Sequence, residues 1–310
     1  MKLSIASNQF PMFQPTGLDD VKDPCPVFDG CVWHMYGSGG TVTSETWQVY
    51  HATAPALEGP WTQAPLIDLP LTGSGVAAPG VVFADGLFHM FIQTEFMKPG
   101  GKVEHLTSHD GYGWTHATTC FAAITGTAEH GIYDPHPAEV QGQKYIVYSA
   151  MPDFQRVPQP DVYLARSTGG TWFGPWERLG KILDHEDIPH HNPRHHPDYE
   201  WGLEGPQLVQ LDDGKVLLNA TCFLPSGPRG SRQRVFFAIA DSIQGPYRSL
   251  GPVMDPTEPG ENGHSTVMVQ GNELTLFYQS RVATTGHRWR YGILRMLMDA
   301  FTAPAPRVSL

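Results

Sequence analysis

Near its N-terminus the chain reads Asp23-Pro24-Cys25-Pro26-Val27-Phe28-Asp29-Gly30 and continues into the apolar and aromatic run Cys31–Tyr36. Apolar runs on both sides of an Asp-Gly pair indicate a β-hairpin with a two-residue turn. A second stretch repeats the pattern as Ala78-Pro79-Gly80-Val81-Val82-Phe83-Ala84-Asp85-Gly86, followed by Leu87–Ile92. A hairpin that recurs along a chain indicates a repeat architecture.

The hairpin pattern occurs five times, in units that begin near Asp23, Ala78, Asp134, Glu204 and Gly263. The starts of successive units lie roughly fifty to seventy residues apart, a length that suits a four-stranded blade, and five units fill the chain without leaving a linker. We therefore predict an all-β protein in which residues 1–310 form one five-bladed β-propeller.

Three units end in a shared Gly-Pro-aromatic turn, at Gly59-Pro60-Trp61, Gly174-Pro175-Trp176 and Gly245-Pro246-Tyr247. The third strand predicted before each turn covers residues 47–52, 161–167 and 234–240. We interpret the aromatic residue of this turn as a plug between neighbouring blades and assign no chemistry to it.

The composition excludes several classes of function. Charged residues make up 16% of the chain, and 33 Gly with 28 Pro indicate many turns. A net charge of −11 without a Lys/Arg cluster argues against nucleic acid as a partner. No apolar run suits a membrane span, residues 1–13 lack a secretory signal, and the four cysteines lack CxxC spacing. We expect free thiols, no membrane association and a cytoplasmic location.

Carboxylates stand at the start of three of the five units, at Asp23, Asp134 and Glu204. The innermost strands of a propeller run along its axis, so side chains at the blade starts meet at one end of the channel. Buried carboxylates that meet drive their proton affinities apart. One can then donate a proton while another activates water, as glycoside hydrolysis requires.

The motifs, taken in chain order, resemble those of glycoside hydrolase family 43 and its five-bladed relatives. The resemblance spans nearly the whole chain and rests on Asp23-Pro24, Asp29-Gly30, Asp134-Pro135, Leu203-Glu204-Gly205-Pro206, Gly263-His264 and Phe277-Tyr278-Gln279-Ser280-Arg281.

This resemblance implies that Asp23 is the general base, Glu204 the general acid, and Asp134 the residue that orients the acid and keeps it protonated. His264 is expected beneath the sugar, beside a water cluster or a divalent cation such as calcium, although no cofactor is required. The family's usual reaction inverts the anomeric centre.

An aromatic platform for the sugar is expected, but Ala77 stands where many relatives carry an aromatic residue. Aromatic rings are large apolar surfaces with defined stacking geometry, so Phe28, Trp201 and Trp289 are the candidates for this platform. Arg281, beside the last motif, is a further candidate for substrate binding.

A histidine-rich insertion precedes the fourth unit and holds five of the fifteen histidines between His185 and Asp198. Imidazole and carboxylate groups suit zinc, but the spacing matches no helical or finger-type metal motif. We therefore favour a substrate-contacting loop in which His190 or His191 binds sugar hydroxyls, and the metal interpretation stays open.

The function predicted is hydrolysis of a terminal pentose or related sugar from an oligosaccharide, as by an arabinofuranosidase or xylosidase. A phosphorylase, an anhydro-sugar or fructose hydrolase, and a carbohydrate-binding propeller without catalysis remain alternatives. A phosphorylase needs clustered cations near the base, which only Arg281, Arg288 and Arg290 are placed to provide.

Overall fold

The computed structural model describes residues 2–40, 47–96, 100–152, 160–188, 202–225, 231–254, 260–281 and 288–298. These residues form twenty β-strands and one short 3₁₀ turn, His185–Asp187. No helix in this part of the chain is long and apolar enough to cross a membrane.

The strands form five four-stranded antiparallel sheets, and each sheet is one blade. The first strand of the chain is β1 (Leu3–Gln9). Blade 1 contains β2 (Asp20–Phe28), β3 (Trp33–Gly40), β4 (Gln48–Ala54) and β5 (Thr62–Gln63). Blade 2 contains β6 (Ala77–Ala84), β7 (Leu87–Thr94), β8 (Lys102–Ser108) and β9 (Thr115–Ala122). Blade 3 contains β10 (Gly131–Val140), β11 (Gln143–Met151), β12 (Asp161–Ser167) and β13 (Trp176–Leu183).

Blade 4 contains β14 (Leu203–Gln210), β15 (Val216–Pro225), β16 (Ser231–Ala240) and β17 (Arg248–Pro252). Blade 5 contains β18 (Glu261–Gln270), β19 (Glu273–Arg281) and β20 (Arg290–Met298), and its fourth strand is β1. The first and last strands of the fold therefore pair with each other and close the ring.

The innermost strands lie side by side around the axis, because β2 contacts β6, β6 contacts β10, and so on through β14 and β18 back to β2. An apolar cluster fills each of the five spaces between neighbouring blades. Trp61, Trp176 and Tyr247 pack against three of these clusters, as predicted for the Gly-Pro-aromatic turns. The predicted five-bladed propeller is confirmed.

Every innermost strand has a β-bulge where it begins, and the bulge contains a residue in the left-handed region of φ. These residues are Asp23 (φ 58°), Ala78 (φ 53°), Asp134 (φ 51°), Gly205 (φ 54°) and His264 (φ 23°). A bulge re-aims the side chains beside it, and here it turns them toward the axis. The five bulges place functional side chains at one mouth of the channel.

A polar side chain on the second strand of each blade bonds to the start of the next blade, and we call these five contacts the blade clips. In four of them a side-chain oxygen accepts a hydrogen bond from the backbone N–H of a bulge residue. The acceptors are Gln279 for Asp23 (3.0 Å), Ser38 for Ala78 (2.8 Å), Gln93 for Asp134 (2.6 Å) and Thr221 for His264 (2.6 Å). In the fifth, the Ser149 hydroxyl donates to the Leu203 carbonyl at 3.0 Å.

The fourth blade departs from the predicted alignment of the repeats. We expected Glu204 to be equivalent to Asp23 and Asp134, but the left-handed residue of this blade is Gly205. Glu204 stands one position earlier. A Cβ on residue 205 would lie 3.1 Å from the His264 ring, so glycine meets both the backbone and the packing requirement.

Candidate active site

Two neighbouring spaces that share several lining residues lie at the mouth of the axial channel. The upper one is a cavity of about 150 Å³, which we call the mouth cavity, and Asp23, Asp134, Glu204 and His264 all border it. The lower one, of about 30 Å³, lies on the axis and is bordered by Asp23, Asp134 and His264 but not by Glu204. The structure thus brings the three predicted carboxylates and the predicted histidine together.

Asp23 is held by contacts from two blades, its own and blade 5. Its Oδ2 accepts a hydrogen bond from Ser38 Oγ at 2.5 Å, and its Oδ1 lies 2.7 Å from His264 Nδ1. Burial alone would raise the pKa of Asp23, but His264 above all, with Lys22 and Ser38, lowers it to about 2. Asp23 is therefore ionised near neutral pH, as a general base must be.

His264 connects two carboxylates through its two ring nitrogens. Nδ1 forms the ion pair with Asp23, and Nε2 lies 3.2 Å from Glu204 Oε2. Burial alone would lower the pKa of His264, but Asp134 and Asp23 raise it to about 10. The ring is therefore an imidazolium that forms an ion pair with Asp23 and donates a hydrogen bond to Glu204.

Asp134 has a strongly raised pKa. Burial raises its pKa most, the charges of Glu204 and Asp23 add to this, and His264 opposes it, which brings the pKa to about 7. Its Oδ2 accepts a hydrogen bond from the Gly205 N–H at 2.9 Å. Asp134 therefore fixes the backbone next to Glu204.

Glu204 is buried and has two side-chain contacts. Oε1 lies 3.4 Å from the Tyr133 hydroxyl, and Oε2 faces His264. Tyr133 precedes Asp134 in the chain, and its ring meets that of Phe96 edge-on at a centroid distance of 5.4 Å. The position of Glu204 is thus set by blades 3 and 5 as well as by its own strand.

The predicted aromatic platform is only partly at the site. Phe28 lies beside the turn at the opposite end of β2, with its ring 5.0 Å from that of Trp33, so it is not brought to the mouth. Five residues of extended strand, about 16 Å, separate it from Asp23. Trp289 lies near the rim, with Arg281 stacked 4.7 Å from its ring.

Arg281 also pairs with Glu261, so its guanidinium is already engaged at this rim. Three other predicted substrate contacts, Trp201, His190 and His191, lie outside the residues that the structure describes. Their roles stay predictions, as does the choice between a metal site and a substrate loop in the histidine-rich insertion.

The mouth cavity is also bordered by residues that the sequence did not reveal, namely Lys22, Trp47, Gln93, Phe96 and Gln233. The repeat register contains a signal for Gln93, because it stands fifteen residues after Ala78, as Ser38 does after Asp23. Trp47 and Gln233 come from third strands or the segments before them, and no motif marks them.

The divalent cation expected on the axis stays a prediction, but His264 is not placed to be one of its ligands. Both nitrogens of His264 face carboxylates, and its raised pKa keeps it protonated. Among the described residues, three possible ligands converge only at Asp161, Asp184 and His185. Lys181 pairs with both aspartates there, so that cluster is an ion-pair network.

The chain matches no protein-family model and no curated protein by sequence. Its structure is similar to the catalytic domain of a family 62 α-L-arabinofuranosidase from Coprinopsis cinerea, with a TM-score of 0.70 and 17% identity. That match covers 94% of this chain and 96% of the other.

Two bacterial enzymes are similar as well. An endo-arabinase from Bacteroides thetaiotaomicron has a TM-score of 0.67 and 14% identity over 91% of this chain and 95% of its own. An arabinanase from Bacillus subtilis has a TM-score of 0.64 and 15% identity over 92% and 95%. At such identities the likeness establishes the shared five-bladed fold.

Proposed function

We propose that this protein is a glycoside hydrolase that removes a terminal pentose or related sugar from oligosaccharides with inversion of the anomeric centre. The observation that carries the proposal is the arrangement of Asp23 and Glu204 on opposite ring nitrogens of His264 at one mouth of the propeller. The similar structures are named as enzymes that act on arabinosides and arabinans, which supports the choice of a pentose.

The spacing of the two carboxyls supports an inverting reaction. One imidazole ring and one polar contact on each side separate them, which is of the order of the roughly 6.5–9.5 Å that inverting enzymes use. A water molecule fits between a base and a sugar at this spacing. Retaining enzymes hold their carboxyls at about 5–5.5 Å, too close for that water.

In the proposed reaction, ionised Asp23 takes a proton from water as the water oxygen bonds to the anomeric carbon. Glu204 donates its proton to the leaving oxygen as the glycosidic bond breaks. Burial and the charges of Glu204 and Asp23 raise the pKa of Asp134 to about 7, so the carboxyl beside the proposed acid is itself partly protonated near neutral pH. His264 keeps Asp23 ionised throughout.

The phosphorylase alternative is weakened by the state of its three arginines. Arg281 pairs with Glu261, Arg288 Nη2 lies 3.4 Å from Asp19, and Arg290 donates to the Trp289 carbonyl at 2.7 Å. None of the three borders the mouth cavity. A carbohydrate-binding propeller without catalysis does not need an ionised base together with a protonated acid.

The two carboxyls can be distinguished by how their variants fail. Glu204→Gln should lose about 10²–10⁴-fold on natural oligosaccharides yet retain part of its activity on aryl glycosides, because a good leaving group needs little protonation. Asp23→Asn should be inactive on both. Activity is measured on 4-nitrophenyl arabinofuranosides and xylosides with and without phosphate, and NMR identifies the first-formed anomer.

Glu139→Gln serves as a matched control, because Glu139 lies on an innermost strand and pairs with Lys144 at the far end of blade 3. It should behave as the wild type. Full activity of both Glu204→Gln and Asp23→Asn on natural oligosaccharides contradicts the proposal and favours a binding protein, and phosphate-dependent cleavage favours a phosphorylase.

A further inference from the structure

Lys22 occupies in blade 1 the position that Glu204 occupies in blade 4. Each is the residue immediately before the left-handed residue of its bulge, Asp23 in one blade and Gly205 in the other. Both side chains border the mouth cavity. The repeated bulge therefore brings a cation into the cavity from blade 1 as it brings the proposed acid from blade 4.

The Lys22 ammonium group has aromatic neighbours and forms no ion pair among the described residues, although its charge also acts on the adjacent Asp23 carboxylate. Nζ lies 5.3 Å from the Trp47 ring centroid and 5.9 Å from that of Trp289. Other cations at this rim are engaged, Arg281 with Glu261 and Arg288 with Asp19. Lys22 borders the mouth cavity and its ammonium group forms no ion pair among the described residues, so it is placed to bind an anion there.

The charge balance of the cavity gives a second reason to expect an anion. Ionised Asp23 and protonated His264 cancel, and the remaining carboxyls, Asp134 and Glu204, give the cavity a negative charge whenever one of them is ionised. That charge favours an oxocarbenium-like transition state, but Lys22 neutralises it. With a neutral sugar, Lys22 would oppose the reaction, whereas a carboxylate on the substrate would restore the balance.

We propose that Lys22 binds a carboxylate on the sugar held against Asp23, so that the preferred substrates are glycosides of a uronic acid. This inference rests on the proposed function and narrows its substrate class. One ammonium group matches the single charge of a carboxylate, whereas a dianionic phosphate carries twice that charge.

The proposal is tested with aryl glycosides that differ at one substituent. A 4-nitrophenyl β-D-glucuronide carries a carboxylate where the matching β-D-xyloside carries hydrogen and the β-D-glucoside carries a neutral hydroxymethyl group. The wild-type kcat/KM should be highest for the glucuronide, and the α-anomeric series is measured in the same way.

Lys22→Met keeps the unbranched stem that packs near the indole rings but removes the charge. It should lower the glucuronide-to-xyloside ratio of kcat/KM by about 30- to 100-fold, as expected for a lost charge pair in a desolvated site. Lys22→Arg should retain most of the ratio. The control Lys215→Met removes a charge at the far end of blade 4, where Lys215 pairs with Asp213, and should leave the ratio unchanged.

Calorimetry gives a readout that does not depend on turnover. D-glucuronate should bind more tightly than D-xylose, and its affinity should fall with added salt. In Lys22→Met the two sugars should bind equally. Equal binding of the two sugars, or an unchanged ratio in Lys22→Met, overturns the assignment of Lys22. If the xyloside or an arabinofuranoside is still cleaved, and that cleavage is lost in Asp23→Asn, the proposed function survives while this inference fails.

Discussion

At the residue scale, His264 sets the protonation of the two aspartates beside it, Asp23 and Asp134. Burial alone would favour a neutral ring, but the carboxylates of Asp134 and Asp23 raise the pKa of His264 to about 10. The resulting imidazolium holds the pKa of Asp23 at about 2, while Asp134, further from the ring at 3.8 Å, has a pKa of about 7. One residue thus separates a permanently ionised base from a carboxyl that can hold a proton.

The pH dependence of activity follows from these values. Because Asp134 loses its proton with a pKa of about 7 and then adds a negative charge to the site, kcat/KM should fall as the pH rises through about 7, whereas Asp23 should cause no acidic limb above about pH 3. Asp134→Asn should reduce kcat/KM and remove the basic limb near pH 7, because the group that titrates there is gone. Rates between pH 4 and 9 test this, and an unmoved limb contradicts it.

The Asp134 carboxyl should help activity but lower the stability of the folded protein at high pH. The pKa of Asp134 is raised in the folded protein, so the stability it contributes is present below about pH 4 and is lost as the pH rises through about 7. Asp134→Asn should raise the free energy of unfolding by about 1–3 kcal/mol at pH 8 and not at pH 4. Denaturant titrations measure this, and the exposed control Asp212→Asn should stay within about 0.5 kcal/mol.

At the element scale, the blade clips link the site to the ring. Each clip places a buried polar side chain of one blade against the backbone where the next blade begins, so the bulge residue is held by its neighbour. Ser38 both accepts from the Ala78 N–H and donates to Asp23, which makes one clip part of the site. The geometry of the cluster therefore depends on how the blades meet.

Removal of one clip should affect stability and activity together. Thr221→Val keeps the shape of the side chain but leaves the buried His264 N–H without its acceptor, which should cost about 1–3 kcal/mol of unfolding free energy. Because His264 also contacts Asp23 and Glu204, kcat/KM should fall as well. The control Thr118→Val, which removes only an exposed hydrogen bond to the Thr119 carbonyl, should change neither value. A Thr221→Val protein with unchanged stability and activity would show that this clip has no such role.

At the scale of the whole molecule, the two ends of the described chain close the ring. β1 pairs with β20 over Leu3–Gln9, while most of its side chains remain exposed. Its contribution therefore comes mainly from backbone hydrogen bonds and from covering an edge strand that would otherwise be free to pair with another molecule.

Deletion of residues 1–9 should expose the edge of β20. We expect the Tm to fall by about 5–10 °C and soluble oligomers to appear, whereas deletion of residues 1–2 should have little effect. Differential scanning calorimetry and light scattering measure the two outcomes. A truncated protein that keeps its Tm and stays monodisperse would show that ring closure by β1 is dispensable.

The sequence by itself determined the repeat, because Asp-Gly turns and alternating apolar runs are local signals that do not depend on the rest of the chain. The observed innermost strands begin within three residues of the predicted blade starts. The position in the repeat also sufficed to bring Asp23, Asp134 and His264 to one mouth, since equivalent positions in a propeller face the same axis, and Glu204 reaches that mouth from one position earlier.

The tertiary structure alone decided the details on which the chemistry depends. The bulge moved Glu204 out of register with Asp23, placed Lys22 in the mouth cavity, and left Phe28 at the far end of its strand. The pairing of β1 with β20 and the contacts of His264 join residues more than two hundred positions apart. No local pattern encodes such contacts, because they form only when the first and last blades meet.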